Sequence, residues 1–388
     1  MEEISNFDVM IVYTHRLARS ADSLSEKVLT PFRKVSKNEN YNVVYGYFLK
    51  ICEKNNLKAA FTTSADITGA GKCKSYWTYE NNKWVKVIKT GYSKQIFDKF
   101  SPSNKRIENS RKLLFSSKEI KPFNPPLLFN LFFDKQKTYI KFPKYSLPTV
   151  AIKDATRKSI DRACKTLQGK ILKHPNKNDF SREIVIKDRF GAGGINVYKF
   201  KVAQAEKIIA SMKRNLKITY IIQPFVKFDK GFKYRNTMVP ADIRLIYLGG
   251  KIIQTYIRMP KKGEFRCNEH QGGKLKYISK NELPSDLIER ANKIVKTLDK
   301  KSTLYALDFL ISNHGNIFFL EGNTGPGLDW NLCIKENRIE AQKLIRIIVK
   351  ELAKLVRQPI LLSKKETNQI VTKVQNINEY PAMPKGLI

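Results

Sequence analysis

The sequence feature that most constrains the fold is a pair of short apolar runs, residues 305–311 and 316–320, separated by the turn-forming residues SNHG. β-favouring runs this close together predict a β-hairpin. Asp308 falls within the first strand, while Glu321 and Asn323 close the second. Side chains alternate along a strand, so Glu321 and Asn323 project from one face, and pairing across the hairpin can bring Asp308 to that face.

The polar residues of this hairpin have the chemistry of a magnesium site. Two carboxylates and one amide oxygen are hard ligands, which suit Mg²⁺ better than zinc, and such sites usually take further oxygens from substrate phosphates. A glycine-rich turn follows at residues 322–327 and allows close approach of a ligand to the backbone. The alternative is an ordinary polar hairpin whose acids face solvent.

Length and charge set broad limits. With 388 residues, the chain is long enough for two or three domains or for one large enzyme with several lobes. Lys and Arg number 72 against 35 Asp and Glu, which gives a net charge of +37. Such a charge favours polyanions, among them nucleic acid, ribosomes, nucleotides and acidic peptides. The alternative is a lysine-rich proteome, in which the charge has no specific partner.

The cysteines and the apolar segments indicate a cytoplasmic protein with no membrane partner. Five scattered cysteines form no C-x-x-C pair and are typical of reduced thiols. Residues 1–10 carry acids and no long apolar run, unlike a signal peptide. The longest apolar patch, residues 125–133, is too short to cross a bilayer.

The first third of the chain predicts a small α/β unit. Residues 8–14 have the pattern of a buried strand, residues 41–54 of a helix and residues 57–63 of a second strand, an alternation that favours a parallel sheet. Asn124-Pro125-Pro126 breaks the pattern and marks a predicted domain boundary.

The rest of the chain predicts two further groups of strands. Residues 218–223 predict a strand, and the apolar run 220–226 is expected to break at Pro224, as a linker between lobes does, with backbone groups that can contact a purine edge. The remaining predicted strands are 183–187, 197–200, 243–248 and 251–257, and the predicted helices are 154–167, 284–299 and 336–356.

Two loops have the composition of anion-binding sites. Lys187 ends a predicted strand just before the turn Gly191-Ala192-Gly193-Gly194, whose N–H groups can cradle phosphate. A second loop, residues 256–274, contains Arg258, Arg266, Asn268 and His270, and arginine matches phosphate geometry. The alternatives are a flexible surface turn for the first loop and a structural role for His270 in the second.

Asp242 and Arg244 open the strand that follows Pro224. Asp242 can act as a ribose partner, and the alternative for both residues is a salt bridge.

Taken in order, these motifs resemble the ATP-grasp superfamily, and within it the RimK-type and glutathione-synthetase-like carboxylate-amine ligases. The resemblance covers about residues 134–356, and the N-terminal third resembles only the general α/β domain that precedes ATP-grasp modules. One departure from the family is Gln223-Pro224 at the hinge, where an acid and an aromatic residue are frequent. The motifs are Lys135, Lys187, the glycine-rich turn, residues 223–226, Asp242-Ile243-Arg244, Phe265-Arg266-x-Asn268-x-His270-x-Gly272-Gly273, Asp308 and Glu321-x-Asn323-x-x-Pro326-Gly327.

The resemblance implies ATP and Mg²⁺, or Mn²⁺ in its place, as cofactors, and it assigns roles to residues. The implied metal ligands are Asp308, Glu321 and Asn323. The implied catalytic residues are Arg258, Arg266 and Asn268, with the last two facing the transferring phosphate. The implied ATP-binding residues are Lys135, Lys187, Gly191, Gly193, Gly194, Gln223, Phe225, Val226 and Asp242.

We therefore expect an α/β protein with an ATP-grasp fold. The predicted units are an N-terminal α/β domain at residues 1–125, a two-lobed ATP-grasp domain at residues 126–357 with its hinge near residues 223–226, and a tail at residues 358–388.

The expected activity is ligation of a carboxylate substrate to an amino acid or another amine through an acylphosphate, with an acidic protein or peptide as a candidate acceptor. One alternative is an ATP-grasp phosphotransferase acting on a polyanionic small molecule. The other is a basic protein that binds RNA or ribosomes, and incidental nucleic-acid affinity is also compatible with the ligase.

Overall fold

The computed structural model describes residues 3–357 except 24, 26, 34–38, 103, 299–301 and 329–330. The predicted tail at residues 358–388 lies outside the described residues. No helix among the described residues is long and apolar enough to cross a bilayer.

The first part of the chain forms an eight-stranded sheet with two helices. Its strands follow the order β3-β4-β7-β1-β2-β5-β6, and β8 pairs with β7. The elements are β1 (Ser5–Tyr13), α1 (Asn40–Lys54), β2 (Ala59–Thr63), β3 (Ile67–Gly69), β4 (Lys72–Cys73), β5 (Tyr76–Glu80), β6 (Lys83–Val87), β7 (Gly91–Lys99), α2 (Lys105–Leu114) and β8 (Lys121–Pro122).

This sheet is mixed, whereas the sequence predicted a parallel one. The central strand β1 is parallel to both β2 and β7, but β5 and β6 form an antiparallel hairpin. Asn81 and Asn82 adopt positive φ angles of 49° and 61° at its turn, the geometry of a two-residue hairpin loop.

Two short helices, α3 (Pro126–Phe133) and α4 (Lys135–Lys141), lead into a four-stranded antiparallel sheet of order β11-β10-β12-β9. We call this sheet and its helices the first lobe. Asp134 caps α4 by accepting hydrogen bonds from the backbone of Gln136 and Lys137. The first lobe comprises β9 (Val150–Ala151), α5 (Arg157–Leu172), a 3₁₀ turn (Lys177–Asp179), β10 (Phe180–Asp188), β11 (Val197–Lys201), α6 (Ala205–Lys213) and β12 (Tyr220–Val226).

The predicted break at Pro224 was wrong, because β12 continues through it to Val226. Proline cannot donate to a sheet ladder and is therefore confined to positions with an unpaired side. Pro224 pairs with Ile184 of β10, whereas β9 reaches only Ile221 and Ile222 on the other side. The strand therefore accommodates the proline without a break.

The second lobe is a five-stranded antiparallel sheet of order β17-β16-β15-β18-β19. It is preceded by a small hairpin, β13 (Phe232–Tyr234) and β14 (Thr237–Val239). Its elements are β15 (Asp242–Leu248), β16 (Lys251–Met259), a 3₁₀ turn (Glu269–Gln271), β17 (Lys274–Tyr277), a 3₁₀ turn (Lys280–Glu282), α7 (Ser285–Val295), β18 (Leu304–Ile311), β19 (Ile317–Asn323) and α8 (Lys335–Arg357).

One hydrophobic core joins the N-terminal sheet to the second lobe. Tyr45 and Phe48 of α1 belong to the same buried cluster as Ile345 and Leu352 of α8 and Ile246 of β15. The N-terminal sheet ends at Pro122, near the predicted boundary at residue 125, but its core continues into the second lobe. The division into independent domains therefore stays a prediction.

Helix α3 packs directly onto the backbone of β19. A Cβ atom added at Gly322 would lie 2.3 Å from Cδ1 of Phe132, and Phe132 is buried. Gly322 lies between Glu321 and Asn323, so this contact fixes the strand that carries both polar residues.

We expect Gly322→Ala to lower the free energy of unfolding by about 1–3 kcal/mol, because the added methyl group overpacks a buried ring. Gly169→Ala is the matched control: this glycine is in α5 and has no atom within 4 Å of an added Cβ, so alanine should stabilise the helix by about 0.5–1 kcal/mol. Urea unfolding of both variants measures the difference. Equal changes in the free energy of unfolding for Gly322→Ala and Gly169→Ala would contradict the close packing of Phe132 on Gly322.

Candidate functional site

Four adjacent strands of the second lobe place charged and polar side chains on one face. The hairpin prediction is confirmed, since Asp308 pairs directly with Glu321, and Ala306 with Asn323. Arg244 of β15 is opposite Asp308 on its other side. The register thus aligns residues from β15, β18 and β19 into one polar row.

The polar row is extended to β16 by the neighbouring pair Asp242 and Arg258, which lie opposite each other two residues along the strands from Arg244 and Tyr256. Asp242 accepts two hydrogen bonds from Arg258, at 2.7 and 2.9 Å. Arg258 Nη2 also donates to Oδ2 of Asp308 at 2.9 Å. Asp242 and Arg244 therefore form salt bridges, which was the alternative left open by the sequence, although each pairs with a different residue.

Asp308 is the centre of this network. Arg244 binds both of its oxygens, with Nε 2.6 Å from Oδ1 and Nη2 2.5 Å from Oδ2. Only 2% of the Asp308 side chain is exposed. Burial alone would raise the pKa of its carboxyl group, but Arg244 and Arg258 outweigh burial, and the pKa is lowered. Asp308 is therefore an anion at neutral pH.

The glycine-rich turn after β10 is held by side chains from outside the turn. Lys135 donates to the carbonyl of Gly191, and Arg266 donates to that of Gly194 at 3.2 Å. Gly194 has a φ of +71°, and an added Cβ would lie 2.6 Å from Oδ1 of Asn268. Only glycine combines this backbone angle with so close a neighbour.

A cleft of about 910 Å³ lies between the two lobes. One end is apolar, where the rings of Phe225 and Phe265 meet edge to face at 5.8 Å, and Leu320 adds to the wall. The other end is basic, with Lys135 and Lys187 near Glu321. A cleft with one apolar and one cationic end fits a ligand with a flat ring and an anionic group.

A second cavity, of about 1130 Å³, adjoins this cleft. Its walls come from the second lobe and from the carboxyl ends of the parallel strands β1 and β7, including Tyr13 and Lys99. Arg258, Asn268 and Glu321 line both spaces. The polar row is thus the border between the two.

The structure brings together every residue that the sequence assigned to the site. All of them line the interlobe cleft except Asn323, which lines the second cavity. The individual roles stay predictions, and the nearest neighbours of some differ from those expected. Gln223, for example, donates to the hydroxyl of Thr149 at 2.7 Å, and Arg266 binds Glu264 at 2.6 Å.

Sequence reasoning passed over two residues that organise the site, Lys99 and Asn124, and it named Arg244 only within a motif and as a candidate for a salt bridge. Arg244 comes two residues after Asp242 on β15 and therefore projects from the same face of the sheet. This alternation was the signal available in the sequence. Lys99 donates to the carbonyls of Gly325 and Pro326 at 3.1 and 2.8 Å. Asn124 donates to Thr324 at 2.7 Å. Lys99 and Asn124 act across about 200 residues of sequence, so no local pattern could indicate them.

No cluster of three or more His, Cys, Asp or Glu side chains suited to a metal exists among the described residues. The predicted metal site instead combines two carboxylates with the amide of Asn323. Asp308 and Glu321 face each other across one hairpin, and Asp308 is ionised, so the donor set fits a hard divalent cation.

Residues 157–348 match the RimK-like ATP-grasp domain. This chain carries an ATP-grasp domain. The match includes the whole polar row and most of both lobes, and it confirms the resemblance to RimK-like ATP-grasp proteins that the sequence motifs indicated.

Solved structures support the same ATP-grasp fold over most of the chain. D-cycloserine synthetase DcsG aligns with a TM-score of 0.54 at 13% identity, covering 92% of this chain and 100% of that one. D-alanyl-alanine synthetase A from Vibrio cholerae aligns with a TM-score of 0.53 at 14% identity, covering 91% and 99%. The predicted fold class, including the N-terminal α/β region, is therefore confirmed.

Among proteins of similar sequence, a probable alpha-L-glutamate ligase from Hydrogenovibrio crunogenus is 30% identical over 146 residues. This match covers 38% of the present chain and 44% of the relative. The chain thus matches less than half the length of that ATP-grasp relative.

We expect Lys187 of the ATP-grasp domain to make ligand binding at the site depend on pH. Burial lowers the pKa of its ammonium group to about 8. The group is therefore mostly charged at pH 7 and mostly neutral at pH 9. If Lys187 contacts phosphate, binding requires the charged form, and ATP affinity should fall as the pH rises through about 8.

Calorimetric titration with Mg²⁺ and ATP between about pH 7 and pH 9.5 measures this effect, and Lys187→Arg is the control, because a guanidinium stays charged throughout this range. We expect the ATP affinity of Lys187→Arg not to fall near pH 8. The same decline in both proteins would rule out titration of Lys187 as its cause.

Proposed function

We propose that this protein is an ATP- and Mg²⁺-dependent ligase that joins a carboxylate to an amine, forms a peptide or isopeptide bond and releases ADP and phosphate. The observation that carries the proposal is the border between the two cavities. Residues suited to a metal and to phosphate lie between a cleft that fits a nucleotide and a second cavity that opens beside it. A phosphoryl group and its acceptor can therefore meet at this border.

The interlobe cleft is the proposed ATP site. Its apolar end, with Phe225 and Val226, suits adenine, and Lys135 and Lys187 at the other end suit the phosphates. Lys135 Nζ is 3.7 Å from Glu321 Oε2, so a cation and a proposed metal ligand are adjacent. This arrangement orients the terminal phosphate toward the polar row.

Asp308, Glu321 and Asn323 are the proposed metal ligands. A divalent cation held there supplies positive charge next to the phosphate oxygens and lowers the cost of charge that develops during phosphoryl transfer. Arg258 contributes further positive charge at the same border, and Asp242 fixes its position.

The second cavity is the proposed site of the acid and the amine. It is lined by the cationic side chains Arg244 and Arg258, by the acid Glu269 and by the salt bridge between Arg111 and Asp98. Cations favour a substrate carboxylate, while acids favour an ammonium group. A cavity that contains both signs of charge suits two reactants of opposite charge better than one polyanion.

The proposed reaction has two steps. A carboxylate oxygen attacks the γ-phosphorus of ATP, and ADP leaves with the electrons of the broken P–O bond. The amine nitrogen then attacks the carbonyl carbon of the acylphosphate, inorganic phosphate leaves, and the nitrogen loses a proton. The chain needs no nucleophile of its own, and its role is to position both reactants and to stabilise charge.

Water must be kept from the acylphosphate. The glycine-rich turn at residues 191–194 and the loop at residues 263–273 contact each other, through Arg266 to Gly194 and through Gln271 to Gly193, both at 3.2 Å. We propose that these two loops form the lid of the site.

The relatives named alpha-L-glutamate ligases make an amino acid a reasonable first substrate. The net charge of +37 additionally suits an acidic protein or peptide as the acceptor.

The test is ADP release from purified protein with Mg²⁺ and ATP, across pooled carboxylates, each with and without pooled amino acids. We expect amine-dependent ADP release and a product formed with loss of one water. Asn323→Ala should reduce the turnover at least ~100-fold, in line with losses on removing an oriented electrostatic group. Asn313→Ala, an exposed change on the same hairpin, should leave the turnover intact.

Equal turnover of the two asparagine variants would contradict the assigned metal site. Turnover that needs no amine and yields a phosphorylated product would favour a phosphotransferase instead. Absence of any turnover, together with salt-dependent RNA binding, would favour the basic binding protein.

A further inference from the structure

Arg244 binds the carboxylate of Asp308, which the proposed function assigns to a metal. Its Nε and Nη2 atoms lie 2.6 and 2.5 Å from the two oxygens of Asp308, and Arg258 adds a third donor. The Arg244 side chain is only 4% exposed. A guanidinium and a divalent cation therefore compete for the same two oxygens.

The two arginines differ in what else holds them. Arg258 makes a bidentate pair with Asp242 and keeps that partner if Asp308 is taken by a metal. Among the hydrogen bonds of the described residues, the side chain of Arg244 makes one besides those to Asp308. It is a long bond of 3.4 Å to the hydroxyl of Tyr256. Arg244 is therefore the arginine that a cation at Asp308 would displace.

A displaced Arg244 side chain would lie next to the second cavity. It lines the second cavity but not the interlobe cleft. A buried guanidinium without a counter-ion is costly, so it needs an anion, and the second cavity is where the proposed reaction binds its carboxylate.

We propose that Arg244 is a positioning residue that exchanges partners: a divalent cation displaces it from Asp308, and it then binds a carboxylate in the second cavity. Loading of the metal thereby prepares the acid site, and a bound carboxylate in turn favours the metal, as linkage requires. The inference rests on the proposed function for the identity of the carboxylate. The competition at Asp308 is independent of any ligase activity.

The first experiment measures Mn²⁺ binding by electron paramagnetic resonance without nucleotide. Arg244→Met removes the competing charge, so we expect Mn²⁺ to bind at least ~5-fold more tightly, the lower end of typical coupling between linked sites. The Mn²⁺ affinity of Arg244→Lys should lie between those of Arg244→Met and the native protein.

The matched control is Arg290→Met, because Arg290 on α7 donates to the carbonyl of Ile317, outside the polar row. Its Mn²⁺ affinity should be unchanged. Unchanged or weaker Mn²⁺ binding by Arg244→Met, in a variant that folds, would overturn the competition.

The second experiment uses the native protein and does not depend on a variant that folds. Phenylglyoxal modifies accessible guanidinium groups, and peptide mass spectrometry locates the modified arginines. We expect Mg²⁺ to increase modification of Arg244 and acetate, the minimal carboxylate, to reduce it again. Arg111, which is paired with Asp98, should be insensitive to Mg²⁺.

Modification of Arg244 that does not respond to Mg²⁺ would overturn the partner exchange. A response to Mg²⁺ without protection by acetate would overturn the carboxylate role. If the Mn²⁺ and labelling results hold while no acid supports turnover, the ligase proposal fails and the metal-linked arginine stands.

Discussion

The rest of the site depends on the charge balance around Asp308. Two arginines and two aspartates lie side by side on β16, β15 and β18, and each of them is largely buried. Charges in a low-dielectric interior persist only when paired, so the strand register that aligns them also sets their protonation. A shift of one residue in β18 would move Asp308 to the opposite face and leave Arg244 without its partner.

The N-terminal sheet completes this arrangement from the other side. Lys99 at the end of β7 holds the turn at residues 324–327, and Asn124 links that turn to the start of β18 through Leu304. The strand with Glu321 and Asn323 is therefore braced at its far end by a different part of the chain. Because the carboxyl ends of β1 and β7 also line the second cavity, the N-terminal sheet is placed to influence which molecules fit into that cavity.

The sequence predicted what short-range periodicity encodes. The hairpin of β18 and β19 follows from two apolar runs and a turn, and the face shared by Asp308 and Glu321 follows from alternation. Periodicity does not reveal partners on other strands, so the sequence left a salt bridge open for Arg244 without indicating Asp308 as its partner. The break predicted at Pro224 was wrong because whether proline breaks a strand depends on its neighbours in the sheet. Strand β7 was missed because Gly91 and Ser93 at its start are residue types typical of loops.

The most direct test of the central claim follows an oxygen atom. If the acid that supports turnover carries ¹⁸O in its carboxylate, attack on the γ-phosphorus transfers one ¹⁸O to the released phosphate for each amide formed. Mass spectrometry of the phosphate should show this single label. Amide formation with unlabelled phosphate would contradict activation of the acid by phosphoryl transfer at the border between the two cavities.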